Sequence, residues 1–408
     1  MHILFISRYF IDDPRTKVHG VYKRMGTFIE ALKEIAALDV LFYTPPGTDY
    51  SPSQTKDLEA RLQDHWQAHI SLFLCPMREY ANQTPIDKMV SFGKGIFSIF
   101  EQQGYYEVSG KKQVGYLDEL LDRRHSALFA HRLSAMCPVL LSGKNPPPVF
   151  FDFDDIEHIV LSRYIARQTK ARSKLLKLLL PALVSGEKKA VGLSAETYIC
   201  SEKDKQLLER EFIVSNVAVI PNSVSMPDYT PPSPDPVLLF LGSDYGANLE
   251  AADYMARQIW PHVREAVPSA RLIIAGISKD MLDRGVHDTP GVEVPGFVEN
   301  LDGLYAASRA VVTPILVGGG TRFKIIEAGA YGRPVVSTTV GMEGIDLTPG
   351  SEILVRDDPR EFAAACLELL TDAALCERTG FAAREKVAAH YDRRAVVENI
   401  RQRIASAL

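Results

Sequence analysis

At 408 residues the chain exceeds one ordinary core, and its length favours two domains, each large enough to bury an interior. Its 46% hydrophobic, 9% aromatic and 24% charged residues are those of an average globular protein, which excludes disordered and fibrous classes. A formal net charge of −5 gives no global pull toward nucleic acid, so any anionic ligand must be held by local groups.

The cysteines (Cys75, Cys137, Cys200, Cys366 and Cys376) are odd in number and form no CxxC pair, which argues against a disulfide framework and against a zinc site. A reducing cytosol suits them. The opening MHILFISRYF has a short apolar core followed by Asp12 and Asp13, so it reads as a first strand and not as a signal peptide. No stretch approaches the roughly 18 apolar residues of a membrane span, and a cytoplasmic protein is expected.

In chain order, a strand over His2 to Ser7 leads through a polar loop to Gly20. There Val21, Phe28, Ile29 and Leu32 keep helical spacing up to Lys33. A strand over Asp39 to Tyr43 follows, and further strands read as Ala127 to Ala130 and Val149 to Phe153. Strand and helix alternate as in a parallel sheet covered by helices. Asn216 to Pro236 is a short strand running into a stretch crowded with Pro, Ser and Asp, the best linker in the sequence. Beyond it the alternation restarts: strand Val237 to Leu241, helix Ala252 to Val263, strands Arg271 to Ala275, Val292 to Val294 and Ala310 to Pro314, a helix from Thr321, strand Pro334 to Ser337, and a last strand Glu352 to Val355. The final helix, near Ala395 to Ala405, is expected to reach back to the first lobe. No period of 20 to 50 residues is present, which sets aside a solenoid.

The most informative segment joins a strand to a helix through Gly318, Gly319 and Gly320, followed by Thr321, Arg322, Lys324 and Glu327. Without Cβ atoms the glycines let backbone N–H groups approach a ligand, and the helix they open offers unpaired donors and a positive dipole end. Arg322 and Lys324 read as first-turn cations, disfavoured there by the dipole and so implying an anion that outweighs it. The bland alternative is a tight turn with two solvated bases. Glu327, among Ile325, Ile326 and Ala328, sits on a partly buried face where its carboxylate requires donors. An i, i+3 pair with Lys324 would supply one, and two vicinal ribose hydroxyls would serve better. A diphosphate at the helix start and a ribose about two turns in describe a nucleotide diphosphate laid along the helix.

The segment GGGTRFKIIEAGAYGRPVVST resembles the nucleotide-sugar site of the retaining family 4 glycosyltransferases of GT-B fold. The resemblance extends through PNSV at 221–224, FLGSDYGANLEA at 240–251 and GFVENLDGLYAAS at 296–308. It implies two Rossmann-like parallel-sheet lobes facing a central cleft: an acceptor-binding lobe over 1–222, a nucleotide-sugar lobe over 223–388, and a C-terminal helix over 389–408 packed on the first lobe. Carried over by position, Arg322 and Lys324 hold the diphosphate, Glu327 the ribose, the Gly318 to Thr321 backbone the phosphate or donor sugar, and the backbone of Phe297 and Val298 the base edge. Gly242 and Gly20 also fall at donor-contacting places, Gly20 offering an amide at a helix start. Many relatives have a Glu-x7-Glu motif whose first Glu touches the donor sugar, whereas this chain has Gly319 there.

His131 ends a buried strand (Ser126 to Arg132), where open α/β sheets place ligands, and the resembled family has a His at that strand end beside the donor sugar. Arg132 is a fallback contact. Asp152, Asp154 and Asp155 read as caps of the following helix, or else as groups orienting an acceptor hydroxyl. Residues 163–189 are basic and rich in leucine, which fits a helix packed on the first lobe or a face resting on an anionic membrane that holds lipid-linked acceptors.

The expected activity is transfer of a hexose from a nucleotide diphosphate sugar to a sugar, lipid-linked or other hydroxyl acceptor. His131, Arg322 and Lys324 carry the catalysis, without metal or further cofactor. The rivals are a sugar-nucleotide epimerase of the same fold and a catalytically silent nucleotide-sugar-binding subunit.

Overall fold

A computed structural model describes residues 1–16, 19–80, 84–168 and 170–408. Residue 169, within the basic segment 163–189 singled out above, lies outside the described residues. The chain divides into two compact units, Met1–Pro221 with Val397–Leu408, and Asn222–Val396.

The first unit is a parallel sheet of seven strands: β1 (His2–Ser7), β2 (Ala37–Thr44), β3 (Ile70–Pro76), β4 (Ala127–His131), β5 (Val149–Asp154), β6 (Glu196–Ile199) and β7 (Val217–Val219), in the spatial order β3-β2-β1-β4-β5-β6-β7. The strand order reverses between β1 and β4, whose last residues, Ser7 and His131, are register partners. Both faces of the central strands are covered, so β1 and β4 are apolar between their ends rather than alternating. Phe5, Phe28 and Phe129 fill one side, with the Phe5 and Phe129 rings stacked at 5.3 Å. The C-terminal helix Arg393–Ala407 crosses into this unit, buries Ile400 and Ile404, and ties Arg403 to Glu196 at 2.8 Å.

The second unit repeats the plan with six parallel strands: β8 (Val237–Leu241), β9 (Arg271–Ala275), β10 (Val292–Gly296), β11 (Ala310–Thr313), β12 (Val335–Ser337) and β13 (Leu354–Val355), in the order β10-β9-β8-β11-β12-β13. The helix expected over Ala252 to Val263 begins earlier, at Gly246, and passes through a π-turn (Met255–Ile259) into Trp260–Ala266. Pro261 has no N–H to donate to the preceding turn, which accounts for the widened geometry. The helix expected from Thr321 begins instead at Phe323, with Arg322 at its cap. Gly320 at φ +66 and Arg322 at ψ 103 keep the approach extended.

Candidate functional site

In the second unit the loop leaving β11 passes through Gly318 (φ +130) and Gly320 (φ +66), conformations that suit glycine, and enters the helix Phe323–Ala330. The Arg322 guanidinium folds back on this loop, donating from Nη1 to the Gly319 carbonyl, and a Cβ on Gly318 would lie 2.6 Å from Nη2. The Asn222 side-chain amide donates to Thr321 Oγ1 at 2.6 Å. Lys324 reaches under the loop, donating to Asn248 Oδ1 at 2.9 Å with its ammonium 4.6 Å from the Phe240 ring centroid. Burial, helped by the Arg322 charge and opposed by Glu327, pushes the Lys324 ammonium down to about 7. Two cations thus converge on a half-buried glycine loop that leads into a helix start, a place that gains from a bound anion.

Glu327 lies one turn beyond Lys324 on a half-buried face, beside Tyr305 and Tyr331, whose rings stack at 4.1 Å. Burial and the Glu327 charge push the Tyr305 hydroxyl well up, and that buried oxygen has no hydrogen-bond partner among the described residues. Gly242 follows β8, its N–H given to the Ala275 carbonyl at 2.9 Å. Its own carbonyl would lie 2.3 Å from a Cβ on Gly276 (φ +83), so the β8 and β9 ends approach only because residue 276 is glycine. Phe297 follows Gly296 at the end of β10 and is 57% exposed, while Val298 is half-buried.

In the first unit His131 is fully buried at the end of β4. Its Nδ1 is 2.9 Å from Ser7 Oγ, which also accepts the Tyr9 N–H at 3.0 Å. Its Nε2 faces Asp152 Oδ2 at 3.8 Å, beyond hydrogen-bond reach, and has no such partner among the described residues. With Ser7 donating to Nδ1 and a carboxylate facing Nε2, the ring proton belongs on Nε2. Burial and then the Arg132 charge push the imidazole down to about 3, so His131 is a neutral donor at physiological pH.

Beneath it, Arg24 of the first helix (Gly20–Lys33) engages both oxygens of Asp152, Nη2 donating to Oδ1 at 2.7 Å and Nε to Oδ1 at 2.9 Å and Oδ2 at 3.1 Å, and gives Nη1 to the Ile220 carbonyl at 2.9 Å. Arg132 binds Asp155 at 2.6 Å and approaches Asp154 at 3.6 Å. Arg132 (φ +67) and Asp154 (φ +60) are both left-handed non-glycine residues at strand ends, a type of strain that concentrates at functional sites. The expectation that these aspartates cap the next helix is not met: the cap of Glu157–Arg167 is Ile156, with no side-chain bond, because the carboxylates are taken by arginines. Gly20 opens the first helix, where its amide lies among the unpaired donors.

The structure therefore brings Arg322, Lys324, Glu327 and the glycine loop together in the second unit, and sets His131 and Gly20 in the first. Sequence reasoning missed Ser7, Tyr9, Arg24 and Asn248. Arg24 had a signal, since it falls three residues after Val21 and four before Phe28, a charge on the apolar stripe. Residues 163–189 form several short pieces, with Leu183 in the core and Leu175 and Leu178 exposed beside Lys174 and Lys177. Among the described residues no helix is long and apolar enough to cross a membrane.

Residues 235–372 match the family described as Glycosyl transferases group 1. The second unit carries a glycosyl transferases group 1 domain. That domain contains the glycine loop, Arg322, Lys324 and Glu327. A curated relative, an uncharacterized 44.6 kDa protein in the cps region of Klebsiella pneumoniae, is 23% identical over 172 residues, 40% of this chain. The chain spans 44% of that relative's length.

Three solved structures extend the likeness over the whole chain. Sucrose-phosphate synthase from Thermosynechococcus elongatus has a TM-score of 0.72 at 15% identity, covering 99% of this chain and 98% of that one. Anabaena HepE in complex with UDP and glucose has a TM-score of 0.64 at 14% identity, with the same two coverages, 99% and 98%. A variant of S. aureus TarM in complex with fondaparinux, α-GlcNAc-glycerol and UDP has a TM-score of 0.67 at 11% identity, covering 98% and 99%. The fold is that of the GT-B glycosyltransferases, two Rossmann-like lobes with parallel sheets of seven and six strands.

Proposed function

We propose that the protein is a retaining family 4 glycosyltransferase that moves a hexose from a nucleotide diphosphate sugar to an acceptor hydroxyl, in polysaccharide, glycolipid or other glycoconjugate synthesis. The observation that carries the reading is the glycine loop feeding a helix that collects Arg322, Lys324 and Glu327 inside a glycosyl transferases group 1 domain. The UDP in the HepE and TarM structures supports a nucleotide diphosphate as the ligand of that loop.

In this proposal Arg322 exchanges the Gly319 carbonyl for diphosphate oxygens, and Lys324 regains its proton as the anion arrives. Together with the amides of Gly318 to Thr321, they stabilise the charge that develops as the glycosidic bond to the diphosphate breaks. Glu327 accepts the ribose hydroxyls, the backbone of Phe297 and Val298 reads the base edge, and Gly242 keeps the β8 end open to the donor. His131 offers its Nε2–H as a hydrogen bond to a sugar hydroxyl and stays neutral, adding no charge of its own. The cations and amides perform this without a metal, so turnover is expected to survive a chelator. Leu175 and Leu178, exposed beside two lysines, support peripheral contact with an anionic membrane, which co-sedimentation with anionic vesicles reads.

A thermal-shift panel of UDP, GDP, ADP and their sugar conjugates tests the donor site. A ligand at about 100 times its Kd adds about 2.7 kcal/mol of stability. One nucleotide series is expected to raise Tm, and Arg322→Ala and Glu327→Ala to abolish the rise. No rise with any series in a folded sample would refute the reading, and a product of inverted anomeric configuration would refute retention alone.

A further inference from the structure

In the second unit Lys324 stands where three effects oppose a positive charge. It is the second residue of the helix Phe323–Ala330, whose start is the positive end of the helix dipole. The Arg322 guanidinium acts on it, and its side chain is withdrawn from water. Among the described residues the Glu327 carboxylate, one turn along the same helix, is the charge that favours its ammonium. From β8 the ammonium faces the Phe240 ring, 4.6 Å from the centroid, and from the helix Gly246–Tyr254 it faces Asn248, whose Oδ1 accepts from Nζ at 2.9 Å. Neither of these two groups titrates.

The orientation of the Asn248 amide is fixed by its partners. Its Nδ2 lies 3.2 Å from the Ser243 carbonyl and 3.1 Å from Ser243 Oγ. A carbonyl only accepts and a lysine ammonium only donates, so the nitrogen faces Ser243 and the oxygen faces Lys324. The Asn248 N–H donates to the Tyr245 carbonyl at 2.8 Å, which ties the asparagine to the same turn. A Cβ on Gly242 would meet Asn248 Cβ at 3.3 Å and Ile277 Cδ1 at 2.8 Å, so glycine after β8 gives the asparagine its place. The amide is thus braced by its own turn and presents an oriented acceptor to a lysine 76 residues away.

An amide and a carboxylate would act differently at this point. Either would hold the end of a long side chain that otherwise samples many rotamers. A carboxylate would also offset the lysine's charge and repel an arriving anion, whereas an amide oxygen contributes only its dipole. An ammonium has three N–H groups and Asn248 occupies one of them, which leaves donors and the whole positive charge for a ligand. That charge is kept at the helix start into which the glycine loop leads.

We propose that Asn248 is a positioning residue: it holds the Lys324 ammonium at this helix start through an uncharged acceptor, so that the lysine's charge stays available to the diphosphate. The inference rests on the donor reading above and extends it to a residue that acts through Lys324. NMR of the full chain with labelled lysine tests it without nucleotide, the Lys324 ε-methylene signal being identified by its loss in Lys324→Arg. In Asn248→Asp the Lys324 titration midpoint is expected to climb by at least about one pH unit, because a carboxylate replaces the amide oxygen. In Asn248→Ala it is expected to fall, because the charged form loses its acceptor while burial and Arg322 remain. Calorimetry then uses the nucleotide diphosphate sugar that gives the largest thermal shift. Its Kd at pH 6 should weaken at least about fivefold in both variants, staying nearly constant up to pH 9 in Asn248→Asp and rising from a lower pH in Asn248→Ala. A residue that only braces the Ser243 turn would lower Tm in both variants and leave the midpoint where it was. An unmoved midpoint, or a change in the same direction in both variants, overturns the inference. Should Asn248→Asp fail to fold, Asn248→Ala decides by whether its midpoint falls. Midpoints that move as expected while no nucleotide raises Tm leave the hold of Asn248 on Lys324 standing and refute the donor reading. A nucleotide shift that persists with unmoved midpoints refutes this inference and leaves the donor reading intact.

Discussion

With Lys324 at the proposed diphosphate site, donor binding is expected to depend on pH in a way that can be worked out from its surroundings. Its ammonium, desolvated and beside Arg322, titrates at about 7, so at neutral pH roughly half the free protein lacks that charge. A diphosphate oxygen at about 4 Å contributes about 4 kcal/mol at an effective dielectric constant of about 20, enough to lift the bound ammonium by about 3 pH units, to near 10. The sign follows directly. Below pH 7 both states are protonated and affinity is at its plateau. Above pH 7 the free lysine has lost a proton that binding must restore, so Kd rises about tenfold per pH unit until the bound form also titrates, about a hundredfold between pH 6 and pH 9. Titration calorimetry with a nucleotide diphosphate sugar, which has no ionisation in this range at its phosphodiester oxygens, reads both the affinity and the proton uptake. About half a proton should be taken up per donor bound at pH 7, measured as the dependence of binding heat on buffer ionisation. Lys324→Arg, always charged, should flatten the profile. A Kd unchanged from pH 6 to pH 9 in the unmodified protein, or the same slope in Lys324→Arg, would refute the reasoning.

Two further outcomes follow from the buried charges of the first unit. Arg24→Met leaves Asp152 buried and uncompensated and should lower unfolding stability in urea by about 3–5 kcal/mol, most of which Arg24→Met with Asp152→Leu recovers by removing the orphaned carboxylate. Glu157, pushed up to about 7 by burial, favours its protonated form in the folded state. Its ionisation therefore opposes folding as pH rises above the unfolded value near 4.5, and Glu157→Gln should raise Tm at pH 8 while leaving it unchanged at pH 4.5.

Much of the fold was legible because it rests on local patterns. The buried strands β1, β8 and β9 are short apolar runs bounded by turn residues, and their limits follow from the residues alone. Strands β3 and β6 were not legible. ISLFLCP alternates little and ETYI is four residues long, so neither shows a period that separates it from a loop or a helix end. The start of the Phe323 helix was misplaced by two residues for a related reason. A Thr-Arg-Phe-Lys run has adequate helical propensity, and only the positive φ of Gly320, which glycine permits but does not announce, holds it extended.

The candidate residues of the two units differed in legibility because one set is local and the other is assembled. Gly318 to Glu327 lie within ten consecutive residues, so spacing alone brings loop amides, cations and a carboxylate to one helix start. The surroundings of His131 come from Ser7, Arg24, Arg132 and Asp152, drawn from two strand ends, a strand-following loop and a helix, with Arg24 and Asp152 alone 128 residues apart. Sequence position marks His131 as a strand-end residue, but its protonation state and its free nitrogen depend on which hydroxyl and which carboxylate the sheet order brings beside it. That order places β1 against β4 at the reversal point, so Ser7 is the partner of His131 by register. The neutral, Nε2-protonated imidazole is thus a property of topology. A substitution at Ser7 bears on it as directly as one at His131 itself.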